Sequence, residues 1–342
     1  MEGGLYLGGY RLCVVGATGA VGQEILDVLE ERDFPVESLR VCATSRSAGK
    51  EVQFKGEKLI VEETRVSSFK NIDIALFAGG AASKEFAKEA QKQGAIVVDN
   101  SSAFRLDPDV PLVVPEVNPE DVKSHKGIIA NPNCSTIIMV VPLKPIYDAV
   151  GIKRVVVSTY QAVSGSGAAA IEELRLQSKA LLNGETYEPR VYPYQIAFNL
   201  IPHIDVFMDL DYTKEEWKMV KETQKIFHRH TMAITATTVR VPIFRCHSEA
   251  INIETERKIT PQEVKDLLSN APGVIVKDNP EAKEYPMPID AVKRDEVFVG
   301  RIRQDNSIEN GINMFVVADQ LRKGAATNAV QIVELLIQYQ CL

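Results

Sequence analysis

Several features are scarce in this chain of 342 residues, and each scarcity excludes a class of protein. The five cysteines are widely spread, with no CxxC pair and no histidine spacing typical of zinc, so we expect neither a disulfide framework nor a metal site. No apolar run is long enough to cross a bilayer. The net charge of -7 gives no basic field for nucleic acid or an anionic membrane surface, so neither is expected as a partner.

A secretion signal is not expected either. The opening "MEGGLYLGGYRLCVVGATG" has no basic segment before its apolar stretch. An odd number of scattered cysteines suits a reducing compartment. We therefore expect a cytoplasmic protein.

The chain has an ordinary globular composition, with 45% hydrophobic and 25% charged residues. Its length exceeds the roughly 250 to 300 residues that one hydrophobic core usually serves, which favours two domains. We expect a nucleotide-binding domain over residues 1–132, completed by a C-terminal helix over 323–342, and a second domain over 133–322.

The first domain alternates short apolar runs with helical patterns, which predicts an α/β fold with a parallel sheet covered on both faces. The predicted strands cover 10–16, 39–45, 72–80 and 95–102, and the predicted helices cover 20–32 and 83–94. The second domain has longer, more alternating strands at 153–163 and 235–256, with helices at 167–184 and 213–230 between them. This pattern predicts an α+β domain with a mixed or antiparallel sheet.

A glycine motif, "VVGATGAVGQEIL", follows the first strand and opens the first helix. Gly16 permits a tight turn, Gly19 allows backbone to approach a pyrophosphate, and Gly22 allows close packing of helix and strand. The spacing is GxxGxxG rather than GxGxxG, and a glycine turn that binds nothing is the alternative. Its position favours a Rossmann-type, doubly wound nucleotide domain, in which the loop residues Thr18, Ala20 and Val21 also contact the cofactor.

The second strand ends in "CATSRSAGK", where an NAD site usually has an acidic residue. The polar residues here are Thr44, Ser45, Arg46, Ser47 and Lys50, and a guanidinium suits a 2′-phosphate. A solvated polar loop is the alternative. We expect NADP as the cofactor.

Cys134 in "NPNCST" stands before an apolar helical run, where the unpaired N–H groups of a first turn stabilise a thiolate. His247 is the only histidine within a strand-like segment. Taken separately, each is more often an ordinary buried residue. Together with a nucleotide site they indicate a thiol nucleophile, a base and a hydride carrier.

Five motifs in order resemble the aspartate-β-semialdehyde dehydrogenase family: "GATGAVGQ", "NSSAFR", "NPNCST", "YQAVSGSGAAA" and "RVP...RCHSEA". The resemblance runs from about residue 10 to the C-terminus. It implies that Cys134 forms a thioester from L-aspartyl 4-phosphate, that NADPH reduces this thioester, and that phosphate and L-aspartate 4-semialdehyde are released. His247 would be the acid/base catalyst, and Gln161 would orient the intermediate.

The same resemblance assigns the substrate contacts. Arg240 would bind the substrate carboxylate and Glu215 its amino group, while Arg105, Asn133 and Lys218 would lie near the phosphate. Arg240 and His247 are seven residues apart on one predicted strand, so a bend or bulge near Pro242 is expected.

Nicotinamide contacts are implied for Ser164, Gly165 and Asn328, and a homodimer built through the second domain is implied as well. The family acts in the aspartate pathway to lysine, threonine, methionine and diaminopimelate. Three alternatives remain: an N-acetyl-γ-glutamyl-phosphate reductase, a phosphorylating glyceraldehyde-3-phosphate dehydrogenase and a non-catalytic NADP sensor.

Overall fold

A computed structural model describes residues 9–342 of the chain. It forms two compact units: the described residues up to Pro132 together with Ala325–Leu342, and Asn133–Gly324. None of the helices in this described range is long and apolar enough to cross a membrane.

The strands and helices are numbered in chain order. The strands are β1 Tyr10–Val15, β2 Val36–Ala43, β3 Glu51–Phe54, β4 Glu57–Ile60, β5 Glu62–Glu63, β6 Ile74–Phe77, β7 Ile96–Asp99, β8 Ile128–Ala130, β9 Ile152–Gln161, β10 Ala233–Arg240, β11 His247–Thr255, β12 Val274–Val276, β13 Val297–Asp305 and β14 Gly311–Ala318. The α-helices are α1 Ala20–Glu31, α2 Ala81–Lys92, α3 Cys134–Val150, α4 Ala168–Leu182, α5 Lys214–Ile226, α6 Pro261–Ser269, α7 Pro288–Ala291 and α8 Thr327–Gln338.

The first unit is built on a parallel sheet with the strand order β5-β2-β1-β6-β7-β8. The last four residues of β1, and all of β6, are buried, as expected for strands covered on both faces. The strand order reverses between β1 and β6, and in such sheets ligands bind beyond the carboxyl ends of the strands at this point. The predicted parallel α/β sheet is confirmed.

The last helix, α8, belongs to the core of the first unit. Its apolar face, including Val330, Val333 and Leu336, is buried in the same cluster as Ile25 and Leu29 of α1. Full burial of one such side chain stabilises the fold by about 1.5–3 kcal/mol, so these contacts hold the end of the chain against the first unit.

The second unit contains a mixed sheet with the strand order β10-β9-β11-β14-β13-β12. β9 runs parallel to β10 and antiparallel to β11, which is itself antiparallel to β14. α3 packs against β9, β11 and β14. The predicted mixed sheet is therefore confirmed.

The single long strand predicted over 235–256 is wrong. The chain forms two strands, β10 and β11, joined by an irregular, bent segment over 241–246 that contains Pro242, where a bend was expected. Proline has no N–H for a strand ladder, and Cys246 adopts a left-handed backbone with φ 74°. Consequently Arg240 ends one strand and His247 begins another, with β9 between them in the sheet.

Candidate active site

Cys134 is the first residue of α3, and the cap of this helix explains why the helix begins there. The preceding Asn133 is extended, and its side-chain oxygen accepts a hydrogen bond from the backbone N–H of Thr136 at 3.2 Å. Such a cap satisfies one of the N–H groups left without a partner in a first turn. The half-buried thiol thus lies at the positive end of a 17-residue helix, where negative charge on sulfur is stabilised.

The thiol also lies against a glycine that sequence reasoning missed. A Cβ placed on Gly324 would be 3.0 Å from the Cβ of Cys134. Gly324 is part of a π-helical turn over Arg322–Ala326, and such turns are frequent at functional sites. No local motif marks this glycine, because the contact joins positions 190 residues apart (324 minus 134).

Asn133 and Glu215 connect the start of α3 to α5. The Asn133 amide donates to Glu215 at 2.8 Å, and Lys218 donates to the other Glu215 oxygen at 2.9 Å. Burial alone would raise the pKa of Glu215, but the charge of Lys218 and the hydrogen bonds from Lys218 and Asn133 lower it below its usual range. Glu215 is therefore a buried carboxylate. Gln161 also approaches it, with its amide nitrogen 3.4 Å from Oε1.

Lys218 has a second carboxylate partner, Asp205, at 2.9 Å. Glu222 was not predicted as a site residue, yet it accepts a 2.6 Å hydrogen bond from the backbone N–H of Asn133. It lies two helical turns beyond Glu215 on α5. This spacing, which puts both on one face of α5, is the only sequence signal that could have selected Glu222.

His247 is fully buried at the start of β11. Its Nδ1 accepts a 3.1 Å hydrogen bond from the backbone N–H of Ala162, which leaves the ring proton of the neutral form on Nε2. Among the described residues, Nε2 has no hydrogen-bond partner. Burial, and then the positive charge of Arg240, lower the pKa of His247 well below its usual range. The ring is therefore neutral and presents an N–H donor.

The left-handed residue before His247 is held by another missed residue, Gln320. The Gln320 side chain accepts from the backbone N–H of Cys246 at 2.8 Å and donates to the Ser164 hydroxyl at 2.5 Å. One amide thus fixes both the entry to β11 and the turn over Val163–Ser166. A polar residue within a loop gives no sequence signal for this role.

Arg240 is buried at the end of β10, directly opposite Gln161 on β9. Its Nη1 donates to the carbonyl of Ala162 at 2.5 Å, and the N–H of the same residue donates to His247, so Ala162 connects the two side chains. A Cβ on Gly165 would be 3.0 Å from Arg240 Nη1 and 3.4 Å from His247 Nε2. A residue without a Cβ therefore fits best at this close approach to the two side chains.

The second unit thus brings together most of the predicted catalytic and substrate-binding residues. Gln161, Arg240 and His247 are the end residues of three neighbouring strands, and Asn133, Glu215 and Lys218 link to Gln161 through hydrogen bonds. This arrangement combines a thiol, a neutral imidazole, a guanidinium and a carboxylate. Such a set suits acyl transfer on a small zwitterionic or anionic substrate.

The glycine loop of the first unit has the geometry of a phosphate cradle. Gly16 has φ 86°, and its N–H and that of Ala17 donate to the carbonyl of Cys42 at 2.8 and 3.1 Å. Gly19 precedes α1 without a side-chain cap, so N–H groups at the helix start can bind an anion. A Cβ on Gly22 would lie 2.2 Å from the oxygen of Gly16, which explains the need for glycine there. Thr18, Ala20 and Val21 are all half-buried in this segment.

The loop after β2 lies beside the glycine loop, because the Thr18 hydroxyl is 3.2 Å from that of Ser47. Thr44, Ser45 and Arg46 are exposed, and Ser45–Ser47 forms a short 3₁₀ turn. An exposed guanidinium and three hydroxyls are therefore available to a ligand at this edge of the sheet.

Arg105 and Asn328 also belong to the first unit. Arg105 is buried and donates to the carbonyls of Asn131 and Asn100 at 2.9 and 2.8 Å. The Asn328 amide donates to the carbonyl of Val113 at 3.0 Å and to Asn131 at 2.6 Å. Both side chains help to hold the segment around Asn131 in place.

Comparisons with known proteins give a consistent result. Residues 11–125 match the family model for the semialdehyde dehydrogenase NAD binding domain, and residues 143–323 match that for the semialdehyde dehydrogenase dimerisation domain. The chain is 62% identical over 335 residues to the aspartate-semialdehyde dehydrogenase of Aquifex aeolicus, a match that covers 96% of this chain and 98% of that protein.

Solved structures agree with the sequence comparison. Aspartate semialdehyde dehydrogenase II of Vibrio cholerae, complexed with ASA, superposes with a TM-score of 0.93 at 50% identity, covering 96% of this chain and 98% of that one. Aspartate semialdehyde dehydrogenase with NADP from Candida albicans gives a TM-score of 0.75 at 27% identity, covering 97% and 100%.

Proposed function

The chain belongs to the aspartate-semialdehyde dehydrogenase family, and we propose that it catalyses the reversible, NADPH-dependent reductive dephosphorylation of L-aspartyl 4-phosphate to L-aspartate 4-semialdehyde. As a member of this family it is an oxidoreductase of the aspartate pathway. The products would feed synthesis of lysine, threonine, methionine and diaminopimelate. We propose a cytoplasmic location, in keeping with the scattered cysteines.

The observation that carries the proposal is the position of Cys134 at a capped helix N-terminus, in the same unit as Gln161, Arg240 and His247. In the proposed reaction the Cys134 thiolate attacks the acyl carbon of the substrate, the C–O bond to phosphate breaks, and phosphate leaves with the electron pair. The product is a thioester, which is electrophilic enough to accept a hydride whereas a carboxylate is not.

The neutral ring of His247 then acts as a hydrogen-bond donor. Hydride addition to the thioester makes the carbonyl oxygen negative, and the Nε2 hydrogen of His247 forms a hydrogen bond to this oxygen. As the C–S bond breaks, the electron pair on the oxygen re-forms the carbonyl of the aldehyde, and Cys134 recovers its thiolate. Gln161 orients the intermediate from the neighbouring strand end, opposite Arg240.

Charges in the second unit match those of the substrate. Arg240 has a guanidinium Nε with no partner among the described residues, which suits it to bind the substrate carboxylate. Glu215, ionised and buried, is suited to the substrate ammonium. We assign the phosphate to Asn133, Lys218 and Arg105.

Bound NADPH would supply the hydride. Its pyrophosphate would bind at the glycine loop and the start of α1, because the small residues leave room and the backbone N–H groups can donate hydrogen bonds to it. The residues of this segment are Gly16, Thr18, Gly19, Ala20, Val21 and Gly22. We propose that the exposed residues Thr44, Ser45 and Arg46, with Ser47, select the 2′-phosphate; the Candida albicans relative was solved with NADP. Ser164, Gly165 and Asn328 are the proposed nicotinamide contacts.

The test follows the reverse reaction by NADPH absorbance. The protein receives NADP, phosphate and L-aspartate 4-semialdehyde, with N-acetyl-glutamate semialdehyde in a parallel reaction. We expect phosphate-dependent NADPH formation with the aspartyl substrate alone. Turnover only with the acetylated substrate would replace the proposal with an N-acetyl-γ-glutamyl-phosphate reductase.

Replacing the nucleophile separates an enzyme from a cofactor sensor. We expect C134S to lose at least about 10³-fold in kcat, because a hydroxyl at this position is far less ionised than a thiol. NADPH binding, measured by fluorescence titration, should stay at the wild-type value, since Cys134 is not one of the proposed cofactor contacts. Undiminished turnover in C134S would contradict the thioester route.

A further inference from the structure

Glu249 is a buried acid that the proposed reaction does not use. It lies in the middle of the second sheet on β11 and is fully buried. Among the described residues neither of its carboxyl oxygens has a hydrogen-bond partner. Burial raises the pKa of Glu249 well above its usual range, and no neighbouring charge offsets this effect. Burial therefore favours the protonated, uncharged form of the side chain.

Such a group lowers the stability of the folded protein. A buried polar group without a partner destabilises the fold, whereas an apolar side chain of the same size at the same place does not. Most buried polar groups in proteins are satisfied, so an exception calls for an explanation. The position of Glu249 suggests one.

Glu249 lies one row below the proposed catalytic residues on the same face of the sheet. It follows His247 by two residues on β11, and alternate residues of a strand share a face. Directly opposite it on β9 is Thr159, two residues before Gln161. Thr238 on β10 is opposite Thr159 in turn, two residues before Arg240.

Two parallel rows therefore cross β11, β9 and β10. The upper row consists of His247, Gln161 and Arg240, and the lower row consists of Glu249, Thr159 and Thr238, all of them buried. Between the rows, the Gln161 amide donates to the Thr159 hydroxyl at 3.3 Å. A hydroxyl that accepts one hydrogen bond still has a hydrogen to donate.

The sheet register places the Glu249 side chain beside the residue that carries that hydroxyl. Directly opposed residues of an antiparallel pair have Cβ atoms about 4.5–5.5 Å apart, a gap that a rotation of the glutamate side chain spans. The neighbour of Glu249 on its other side is Val316 of β14, which offers no polar atom in its side chain. Thr159 is thus the polar partner that the sheet register provides.

We propose that Glu249 is a positioning residue, whose carboxyl group accepts a hydrogen bond from the Thr159 hydroxyl during turnover and thereby fixes the direction from which Thr159 holds the Gln161 amide. The inference rests on the role proposed above for Gln161. On this proposal the buried acid lowers the stability of the fold, but it helps to orient Gln161, the side chain that must contact the reacting carbonyl.

The test compares E249M and E249Q with the wild type in thermal unfolding and in the NADPH assay. E249M should raise Tm by about 2 °C or more, because an unpartnered acid is replaced by an apolar chain of similar size. It should also lower kcat about tenfold, the rate value of one lost hydrogen bond, with a much smaller change in KM. E249Q keeps a carbonyl acceptor without ionising and should retain kcat within about twofold.

Coupling to Thr159 is tested by a double-mutant cycle. If Glu249 acts through the hydroxyl, E249M should cause no further loss of kcat in a T159V background. Additive losses would overturn the route through Thr159. I251M, the next buried position on the same strand face, is the matched control and should leave kcat unchanged.

Other outcomes also decide the matter. A fall in Tm together with unchanged kcat in E249M would make Glu249 a structural group and overturn the inference, and so would an E249Q variant as slow as E249M. If the wild type itself does not turn over the aspartyl substrate, the proposed function fails. The Tm of E249M then still tests the premise of the inference. A rise in Tm means that the Glu249 side chain lowers the stability of the fold, as the inference requires, and a fall in Tm overturns it.

Discussion

The ring of His247 shows how much a single residue owes to its backbone surroundings. The hydrogen bond from Ala162 selects the tautomer, and burial and the charge of Arg240 keep the ring neutral. A solvent-exposed histidine would carry its proton on either nitrogen and would titrate near pH 6.5. In this protein the donor nitrogen is determined before any substrate arrives.

Titration of His247 predicts a pH dependence of stability. Since the folded-state pKa is lowered, protons bind to the unfolded chain first as the pH falls below about 6.5. The contribution of neutral His247 to the free energy of unfolding is therefore fully present above about pH 6.5 and decreases as the pH falls below it. H247Q should lose less Tm than the wild type between pH 7.5 and 5.5, as measured by calorimetry. H230Q, at an exposed position, is the control, and parallel curves for H247Q and the wild type would contradict the prediction.

At the scale of elements, the ends of strands and the starts of helices carry the chemistry. β9 and β10 end at Gln161 and Arg240, β11 begins at His247, and α3 begins at Cys134. α1 begins at the glycine loop in the same way. A helix or strand holds the residues at its end in a fixed position. The backbone N–H groups at a helix start also lack partners within the helix, so they can bind a ligand.

The start of α1 offers a test of the cofactor loop. G22A would place a methyl group 2.2 Å from the carbonyl oxygen of Gly16, so the helix must move away from the loop. We expect NADPH affinity to fall at least about tenfold and the free energy of unfolding to fall by about 1–3 kcal/mol. Fluorescence titration and urea unfolding measure the two effects. E31A, at the exposed end of the same helix, should change neither by much.

At the scale of the whole molecule, the second sheet has two unlike faces. Glu249, Ile251 and Ile253 on one face of β11 are fully or almost fully buried, whereas the intervening residues are partly exposed. On the open face Tyr160 of β9 is 37% exposed and its ring lies 6.3 Å from that of Phe315. The match of residues 143–323 to a dimerisation domain supports a homodimer through this unit.

A charge on this open face should therefore separate the subunits. We expect the wild type to show about twice the chain mass of 37.8 kDa in light scattering. Y160D buries an unpaired charge in the proposed interface and should shift the mass toward the monomer. I60D introduces the same charge at an exposed isoleucine of the first unit and should remain dimeric. A dimeric Y160D would place the interface elsewhere.

Much of the fold could be predicted because it follows local rules. Glycine spacing after an apolar strand predicted the loop before α1, and continuous apolar runs predicted a parallel sheet. A bend near Pro242 was expected, but the predicted single strand over 235–256 failed because its apolar pattern continues past the bend, whereas the strand pairing shows that the chain reverses there. Gly324, Gln320 and Glu222 were missed since their contacts join distant segments.

The sequence by itself determined the order of strands and helices, the glycine loop and the family, because each of these depends on residues that are close together in the sequence. The tertiary structure alone decided which side chains meet. Sheet register set Gln161 opposite Arg240 and Thr159 opposite Glu249, pairings made between strands separated by up to 90 residues (249 minus 159). Burial, which depends on every element packed around a site, raises the pKa of Glu249 and lowers that of His247, so it favours the uncharged form of both.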